Sequence, residues 1–288
     1  DKGCSAYSVS KLLNIPTVLL LDGSGSYITI SAVLKGLKTY KEDNTIKGVV
    51  LNKLSSNMHY TLIKNQIEKD FDDVVVLGYI GKNLPSLKST HLGLDLVNAK
   101  EEILENLCKE VLEHIDMPKL LELSSSTKNK IVEKRYPFEE IQKINKKVAI
   151  VKDENFSFLY HDNIEVLKEL FEEVVLINSI KDETIPSNCH AVFIPGGYIE
   201  TANAYEKIKD SHNFKNSLKK HAQNKHIYAE CAGLLYLSNA VDSYSMSGIL
   251  NVNFELKDKR SRLGYYYASN DTKGHSFHYT KPINAPDG

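Results

Sequence analysis

Long apolar runs, paired cysteines and an excess of charge of one sign are all missing from this sequence. No apolar run approaches the roughly 20 residues that a membrane-spanning helix needs, so we expect no membrane partner. The formal net charge of −1 gives no reason to expect nucleic acid as a partner. The four cysteines, Cys4, Cys108, Cys189 and Cys231, are too scattered for a zinc knuckle or a disulfide framework, and we identify no metal ligands. With no export signal visible, a reducing, cytoplasmic setting is predicted.

The hydrophobic pattern predicts an α/β protein with two domains. Between residues 1 and 116, strand patterns such as "PTVLLLD" and "IKGVVLNKL" alternate with helical patterns, and the alternation resumes over residues 147–288. Such alternation indicates parallel sheets with right-handed crossover helices. The continuous apolar run of "PTVLLLD" is typical of a strand covered on both faces. Residues 117–146 break the pattern with a serine run and many lysines, and we interpret them as an interdomain linker.

The carboxyl ends of the predicted strands indicate where a ligand of the first domain would bind. Ligands of parallel sheets bind at that edge, because the loops that follow the strands meet there. In the first domain these ends are Asp22–Ser26, Asn52–Ser56 and Tyr79–Leu84.

The stretch "KHIYAECAGLLYL" has the outline of a nucleophile elbow, in which a strand runs into Cys231, small residues follow, and a helix begins. Such a turn exposes the nucleophile, and the N–H group of Ala232 can stabilise an oxyanion. We also expect the positive end of the following helix to lower the pKa of the thiol. On this stretch alone, a packed core cysteine is an equally good interpretation, since cysteine is among the most buried residue types.

Two further stretches supply the partners that a nucleophilic cysteine needs. "GHSFHYT" offers His275 and His278, and either is a candidate base on sequence grounds. If this stretch is a strand, Phe277 and His278 point to opposite faces, so that Phe277 anchors in the core and His278 faces the site. "VFIPGGYIE" ends a strand at Gly196 and Gly197, whose backbone N–H groups can approach a ligand closely. With Ala232 these glycines would form an oxyanion hole, although a plain loop turn is the alternative.

Motifs in both halves resemble the cobyrinic acid a,c-diamide synthases. In the second half these are "DENFSFLYHDNIEVL", "PGGYIE", "AECAGLLYL", "RLGYYYA" and "GHSFHYT"; in the first half they are "LLLDGSG", "IKGVVLNKL", "VLGYIGKNLP" and "THLGLDL". The resemblance implies a P-loop-type domain similar to dethiobiotin synthetase, followed by a class I glutamine amidotransferase domain. It makes Cys231 the nucleophile that carries a glutamyl thioester, with His278 as its base. Ordinary class I enzymes follow this histidine with Pro and Glu, whereas here Tyr279 and Thr280 follow, so the third acid is absent from that place, as in the cobyrinate and cobyrate synthases.

The resemblance also implies ATP and Mg²⁺ for the first domain, which would phosphorylate a substrate carboxylate that ammonia then converts to an amide. Asn52 would recognise the adenine, and the loop after Asp22 would approach the nucleotide; the alternative for Asn52 is a turn former at the strand end. No G-x-x-x-x-G-K-[ST] sequence is present. We therefore expect a fragment that lacks the phosphate loop and the family's last strands, and that does not carry out the synthesis by itself.

The function expected from this resemblance is the glutamine-dependent, ATP-driven amidation of the a and c acetates of cobyrinic acid in cobalamin biosynthesis. The alternatives are a nickel-sirohydrochlorin a,c-diamide synthase, a Cys–His amidase or hydrolase without ligase activity, and a silent binding module with an unreactive Cys231. Cobyric acid synthase fits the motifs less well. The expected partners are glutamine and a corrin precursor; the oligomeric state stays open, with a homodimer among the options.

Overall fold

The computed structural model describes residues 5–87, 89–90, 93–94, 100–126, 142–267, 269 and 272–283. The chain divides into two compact units, Asp1–Glu133 and Lys134–Gly288. The helices and strands of the first unit, in chain order, are α1 (Ala6–Leu13), β1 (Thr17–Asp22), α2 (Ile28–Tyr40), β2 (Ile46–Leu54), α3 (Asn57–Asp70), β3 (Val75–Gly81), β4 (Ser89–Thr90), β5 (Gly93–Leu94), α4 (Glu101–His114) and α5 (Met117–Ser125).

The first unit is built on a parallel sheet in the order β1-β2-β3, with α2 and α3 as the crossovers between neighbouring strands. This confirms the predicted α/β class with parallel strands. Its core contains Leu34, Val49 and Leu51, all fully buried. Leu20 on β1 is 63% exposed, however, whereas Leu21 is buried in the core. The prediction that β1 is covered on both faces is therefore wrong, because this edge strand turns only one face to the core.

The predicted linker is too long at both ends. Helix α5 occupies its first part: the side chain of Asp116 caps the helix by accepting from the N–H group of Lys119 at 3.0 Å, and Pro118 lies in the first turn. The N–H group of Asp116 donates to the carbonyl of Leu77, which ties the start of α5 to β3. A strand begins at Ile144, inside the predicted linker. Residues 127–141 lie outside the described residues.

The second unit contains a larger α/β core followed by short strands. Its helices and strands, in chain order, are β6 (Ile144–Val151), α6 (His161–Leu170), β7 (Phe171–Ile177), β8 (Ala191–Ile194), α7 (Ala202–Ile208), α8 (His212–Ala222), β9 (His226–Ala229), α9 (Ala232–Leu237), β10 (Ala240–Val241), β11 (Tyr244–Ser245), β12 (Asn253–Leu256), β13 (Arg262–Tyr267), β14 (Lys273–His278) and β15 (Thr280–Pro282).

The central sheet of the second unit has the order β7-β6-β8-β9, with all strands parallel. The chain leaves β6 towards β7 on one side and leaves β8 towards β9 on the other. The carboxyl ends of β6 and β8 therefore form a topological switch point, the position at which open α/β sheets bind ligands. The loop after β8 contains Gly196 and Gly197, and β9 leads directly to Cys231.

Two small sheets follow in the described part of the second unit. One has the order β11-β10-β12-β15, and the other is the antiparallel pair β13–β14. His278 ends β14 opposite Arg262, and Thr280 begins β15 opposite Leu256, so the two small sheets meet at residues 278–280. Within the described parts of both units, no helix is both long and apolar enough to span a membrane.

Candidate active site

Cys231 lies on a sharp turn between β9 and α9. Its backbone has φ 48° and ψ −109°, a left-handed region in which a non-glycine residue costs about 1–3 kcal/mol and is commonly held at functional sites. Three backbone hydrogen bonds fix this turn: Glu230 N–H to the carbonyl of Ile194 at 3.0 Å, Gly233 N–H to Glu230 at 2.8 Å, and Leu235 N–H to Cys231 at 3.0 Å. The strand, turn and helix thus have the shape that the sequence predicts.

Small residues let the turn approach β8 and the loop after it. A Cβ added at Gly233 would lie 2.3 Å from the carbonyl oxygen of Ile194, so only glycine fits there. A Cβ added at Gly196 would lie 3.3 Å from the Cβ of Cys231, a tight contact that its neighbours would have to accommodate. The carbonyl of Gly196 accepts from the N–H group of Phe158 at 3.0 Å. Gly196 therefore acts as a spacer beside Cys231.

The backbone N–H groups of Gly197 and Ala232 lie near the sulfur of Cys231, and each acts to lower the pKa of its thiol. The main chain at Gly197 packs closely against the loop that contains Asn155. An added Cβ at Gly197 would lie only 2.0 Å from the carbonyl oxygen of Asn155, so only glycine fits there. Ala232 is fully buried at the start of α9. Backbone N–H groups beside a cysteine can stabilise an oxyanion if that cysteine attacks a carbonyl carbon.

The pKa of the Cys231 thiol is raised, against the expectation from its position before a helix. Part of the residue is exposed, but burial of the sulfur against protein contributes most to the rise, and the carboxylate of Glu200 contributes next. The N–H groups of Gly197 and Ala232 lower the pKa without reversing its direction, and Glu230 raises it slightly. The N–H group of Ala232, at the start of α9, lowers the pKa as expected, but burial and the charge of Glu200 outweigh this contribution, so the net shift is upward.

Two carboxylates beside Cys231 were not anticipated from the sequence. Glu200 is only 7% exposed, and its Oε2 accepts from the N–H group of Ile199 at 3.0 Å. Glu230 accepts from the hydroxyl of Tyr228 at 2.9 Å. The sequence offers one signal for them: Glu200 is the one charged residue of "PGGYIE", and Glu230 is the one charged residue of "AECAGLLYL". Charged residues in otherwise small and apolar stretches at strand ends are candidates for a site.

His278 is half-buried at the end of β14, and its Nδ1 lies 2.9 Å from the carbonyl oxygen of Thr280. Within the described parts of the chain, no hydrogen bond joins His278 to Cys231. The two are nevertheless parts of the same unit. The structure thus places Gly196, Gly197 and Ala232 against Cys231, and it does not place the imidazole in direct contact with the thiol.

Phe277 and His275 lie on the other face of the β13–β14 pair. Phe277 is opposite Leu263 and is 43% exposed, so the prediction that it anchors in the core is wrong. The alternation of the strand is as predicted, but the face with Phe277 is the more exposed one. His275 is exposed opposite Tyr265, and its ring centroid lies 5.5 Å from that of Phe277. His275 and His278 are thereby separated onto two faces.

Asp22 and Asn52 are neighbours across β1 and β2 in the first unit. Lys53 adopts φ 58° and places its Nζ 2.6 Å from Oδ2 of Asp22, and this ammonium holds the pKa of Asp22 below its usual value. The side-chain oxygen of Asn52 accepts from the N–H group of Lys53 at 2.9 Å, the local contact expected of a strand-end turn former. The N–H group of Gly23 donates to the carbonyl of Asn52 at 2.8 Å.

Asp22 is the acidic residue predicted near the nucleotide, and its carboxylate is paired with Lys53. In the part of the chain that the structure describes, no group of three or more His, Cys, Asp or Glu residues is arranged to hold a metal ion.

Comparison with known proteins identifies relatives along nearly the whole chain. The family profile of the CobB/CobQ-like glutamine amidotransferase domain matches residues 147–287. Three relatives carry the name cobyrinate a,c-diamide synthase. The protein from Saccharolobus solfataricus is 35% identical over 97% of this chain and 67% of its own length. That from Caldanaerobacter subterraneus is 32% identical over 98% and 65%, and that from Fusobacterium nucleatum is 33% identical over 98% and 68%. The chain thus spans about two thirds of the length of these curated relatives.

Proposed function

The chain belongs to the cobyrinate a,c-diamide synthase family, and on that premise we propose that its second unit hydrolyses glutamine to glutamate and ammonia. The observation that carries the proposal is the turn at Cys231. The backbone of Cys231 is held in a left-handed conformation, and the N–H groups of Gly197 and Ala232 lie near its sulfur. A core cysteine needs neither the strained turn nor the nearby donors.

The reaction proceeds through a thioester. The sulfur of Cys231 attacks the carboxamide carbon of glutamine, and the thiol proton passes to Nε2 of His278. The carbonyl oxygen becomes an oxyanion that accepts from Gly197 and Ala232. The C–N bond then breaks, the imidazolium of His278 gives its proton to the leaving nitrogen, and ammonia departs. Water, deprotonated by His278, attacks the thioester, the C–S bond breaks, and glutamate and the thiol are released.

For the complete protein we propose the use of this ammonia for amidation of the a and c acetates of cobyrinate, the compound in the names of the relatives. Transfer of the γ-phosphoryl group of ATP to a carboxylate gives an acyl phosphate and ADP. Ammonia attacks the acyl carbon, phosphate leaves, and the amide forms with loss of a proton.

The first unit, with its parallel sheet, is the proposed counterpart of the synthetase domain. Asp22 and Asn52 mark its nucleotide-facing edge, with Mg²⁺ as the usual companion of ATP, and we propose a cytoplasmic location.

Affinity labelling tests the glutaminase proposal directly. Full-length protein is incubated with the glutamine analogue 6-diazo-5-oxo-norleucine, and the adduct is mapped by mass spectrometry. We expect labelling at Cys231 that is lost in Cys231→Ala. Cys108→Ala is the matched control, because Cys108 is also an exposed free cysteine but lies on α4. An unlabelled Cys231 in protein that turns over glutamine would overturn the assignment.

A second assay tests how the ammonia is used. Full-length protein receives cobyrinate or nickel-sirohydrochlorin, each with ATP and either glutamine or ammonia. We expect amidation of cobyrinate, and we expect Cys231→Ala to lose the glutamine-driven reaction while it keeps the ammonia-driven one. If a folded Cys231→Ala loses both, the proposed division of labour is wrong. Amidation of nickel-sirohydrochlorin alone would overturn the choice of substrate, and glutamine hydrolysis without any amidation would indicate a simple amidase.

A further inference from the structure

The residue two positions after His278 stands where ordinary class I glutamine amidotransferases carry their third acid, and here it is Thr280. We propose that the main-chain carbonyl of Thr280 takes over the task of that acid and positions His278 as the base. The inference rests on the proposed glutaminase function and names a positioning group within the same site.

The hydrogen bond between the two residues fixes which nitrogen carries the proton. Nδ1 of His278 lies 2.9 Å from the carbonyl oxygen of Thr280. A carbonyl oxygen can only accept, so Nδ1 must be the donor and carries the proton of the neutral ring. Nε2 then has a free lone pair, which is the form that can take a proton from a thiol or from water. A carboxylate partner at Nδ1 imposes the same tautomer in a Ser-His-Asp triad.

Both partners of this hydrogen bond are held by neighbouring segments. Thr280 is buried and pairs with Leu256 across β12 and β15. The carbonyl of Tyr279 accepts from the N–H group of Lys257 at 3.1 Å and from the hydroxyl of Ser261 at 2.9 Å. The N–H group of Ser261 donates to the carbonyl of His278 at 2.9 Å. The carbonyl that orients the imidazole is therefore pre-organised, as a catalytic positioning group must be.

A carbonyl and a carboxylate differ in what they do for the protonated ring. Both orient the imidazole, but the carbonyl offers a dipole where a carboxylate offers a full negative charge, so it stabilises the imidazolium less. We therefore expect the resting site to hold a neutral thiol. The raised pKa of Cys231, caused by burial and by the charge of Glu200, agrees with a neutral thiol. The proton then moves to His278 as the sulfur–carbon bond forms.

The tautomer can be read without any turnover. Full-length protein is labelled with ¹⁵N-histidine, and two-bond ¹H–¹⁵N correlations are recorded well above the titration of a histidine ring. Because the protein has several histidines, the His278 signals are assigned by their loss in His278→Gln. We expect His278 to show the pattern of a ring protonated at Nδ1. A ring protonated at Nε2, or an average of both tautomers, would overturn the proposal.

The variant Thr280→Val tests whether the main-chain carbonyl or the side chain of Thr280 determines the tautomer of His278. Valine has a similar shape and leaves the carbonyl in place, so the Nδ1–H pattern of His278 should persist. A folded Thr280→Val protein that loses the pattern would overturn the assignment to the main-chain carbonyl. Because no glutamine is present, these results are independent of the labelling of Cys231. If His278 is protonated at Nδ1 but Cys231 is not labelled by the glutamine analogue, the glutaminase function is refuted while the hydrogen bond to Thr280 is confirmed.

Discussion

Replacement of Gly197 by alanine tests the oxyanion hole at its tightest point. An added Cβ would lie 2.0 Å from the carbonyl oxygen of Asn155, 2.8 Å from its carbonyl carbon and 3.0 Å from the Cα of Phe156. All three are main-chain atoms, so no side chain can rotate away. Asn155 is itself fixed, since it is 2% exposed and its Nδ2 donates to the carbonyl of Ala204 at 2.8 Å. The loop at Gly197 must therefore move, and its N–H group moves away from Cys231.

The loss can be estimated from this one displaced donor. In enzymes that catalyse acyl transfer, removal of a single oxyanion-hole donor lowers kcat by a factor of about 10²–10³. Because the bond to the oxyanion is made only in the transition state, kcat and kcat/KM for glutamine should fall together, with KM little changed. The added methyl group should also lower the free energy of unfolding by about 1–3 kcal/mol, because it is forced against a rigid backbone.

Glutamate release by the full-length protein gives the rate, and thermal unfolding gives the stability. Gly36→Ala is the control for the rate, because a Cβ at Gly36 would meet nothing within 4 Å and the residue lies on α2, in the other unit. If Gly197→Ala is folded and hydrolyses glutamine at the rate of this control, the N–H group of Gly197 does not serve the reaction. The oxyanion hole described above would then be wrong.

Two further substitutions address charge and backbone freedom. Glu200→Gln removes a negative charge that raises the pKa of Cys231, so the pKa should fall and the pH curve for alkylation of Cys231 by iodoacetamide should shift to lower pH. An unchanged curve would show that Glu200 does not act on the thiol. Gly36→Ala should raise the free energy of unfolding by about 0.5–1 kcal/mol, because alanine loses less backbone freedom than glycine in the middle of a helix. A lower melting temperature would contradict the open surroundings of that Cβ.

The parts of the site that depend on local chain geometry were predictable from the sequence. The turn at Cys231 follows from a strand pattern that runs into small residues. The close approach at Gly196 and Gly197 follows from their lack of a Cβ. Helix α5 also had a readable signal, since Asp116 caps it and Pro118 lies in its first turn. The serine run and the lysines nearby conceal that signal, because they are typical of a linker.

The parts that depend on contacts distant in the chain were not predictable. Alternation along β14 places Phe277 and His278 on opposite faces, but only the tertiary packing decides which face is covered, and the face with Phe277 is the more exposed one. The direction of the pKa shift at Cys231 depends first on burial and then on Glu200, which is 31 positions away in the sequence and close only after folding. The tautomer of His278 depends on a main-chain oxygen, which no side-chain motif reveals.

The stretch "DENFSFLYHDN" can be understood as a brace for the oxyanion loop, although we assign none of its side chains a chemical step. One carboxylate oxygen of Asp153 accepts from the N–H group of Asn155 at 3.0 Å, and the other accepts from the N–H group of Ser179 at 2.8 Å. The carbonyl of Asn155 in turn accepts from the N–H group of Tyr198 at 2.8 Å, next to the donor at Gly197. Oxyanion donors are effective because they need no reorganisation during the reaction. A loop anchored by main-chain hydrogen bonds at the switch point between β6 and β8 meets that requirement, whereas a free glycine loop would not.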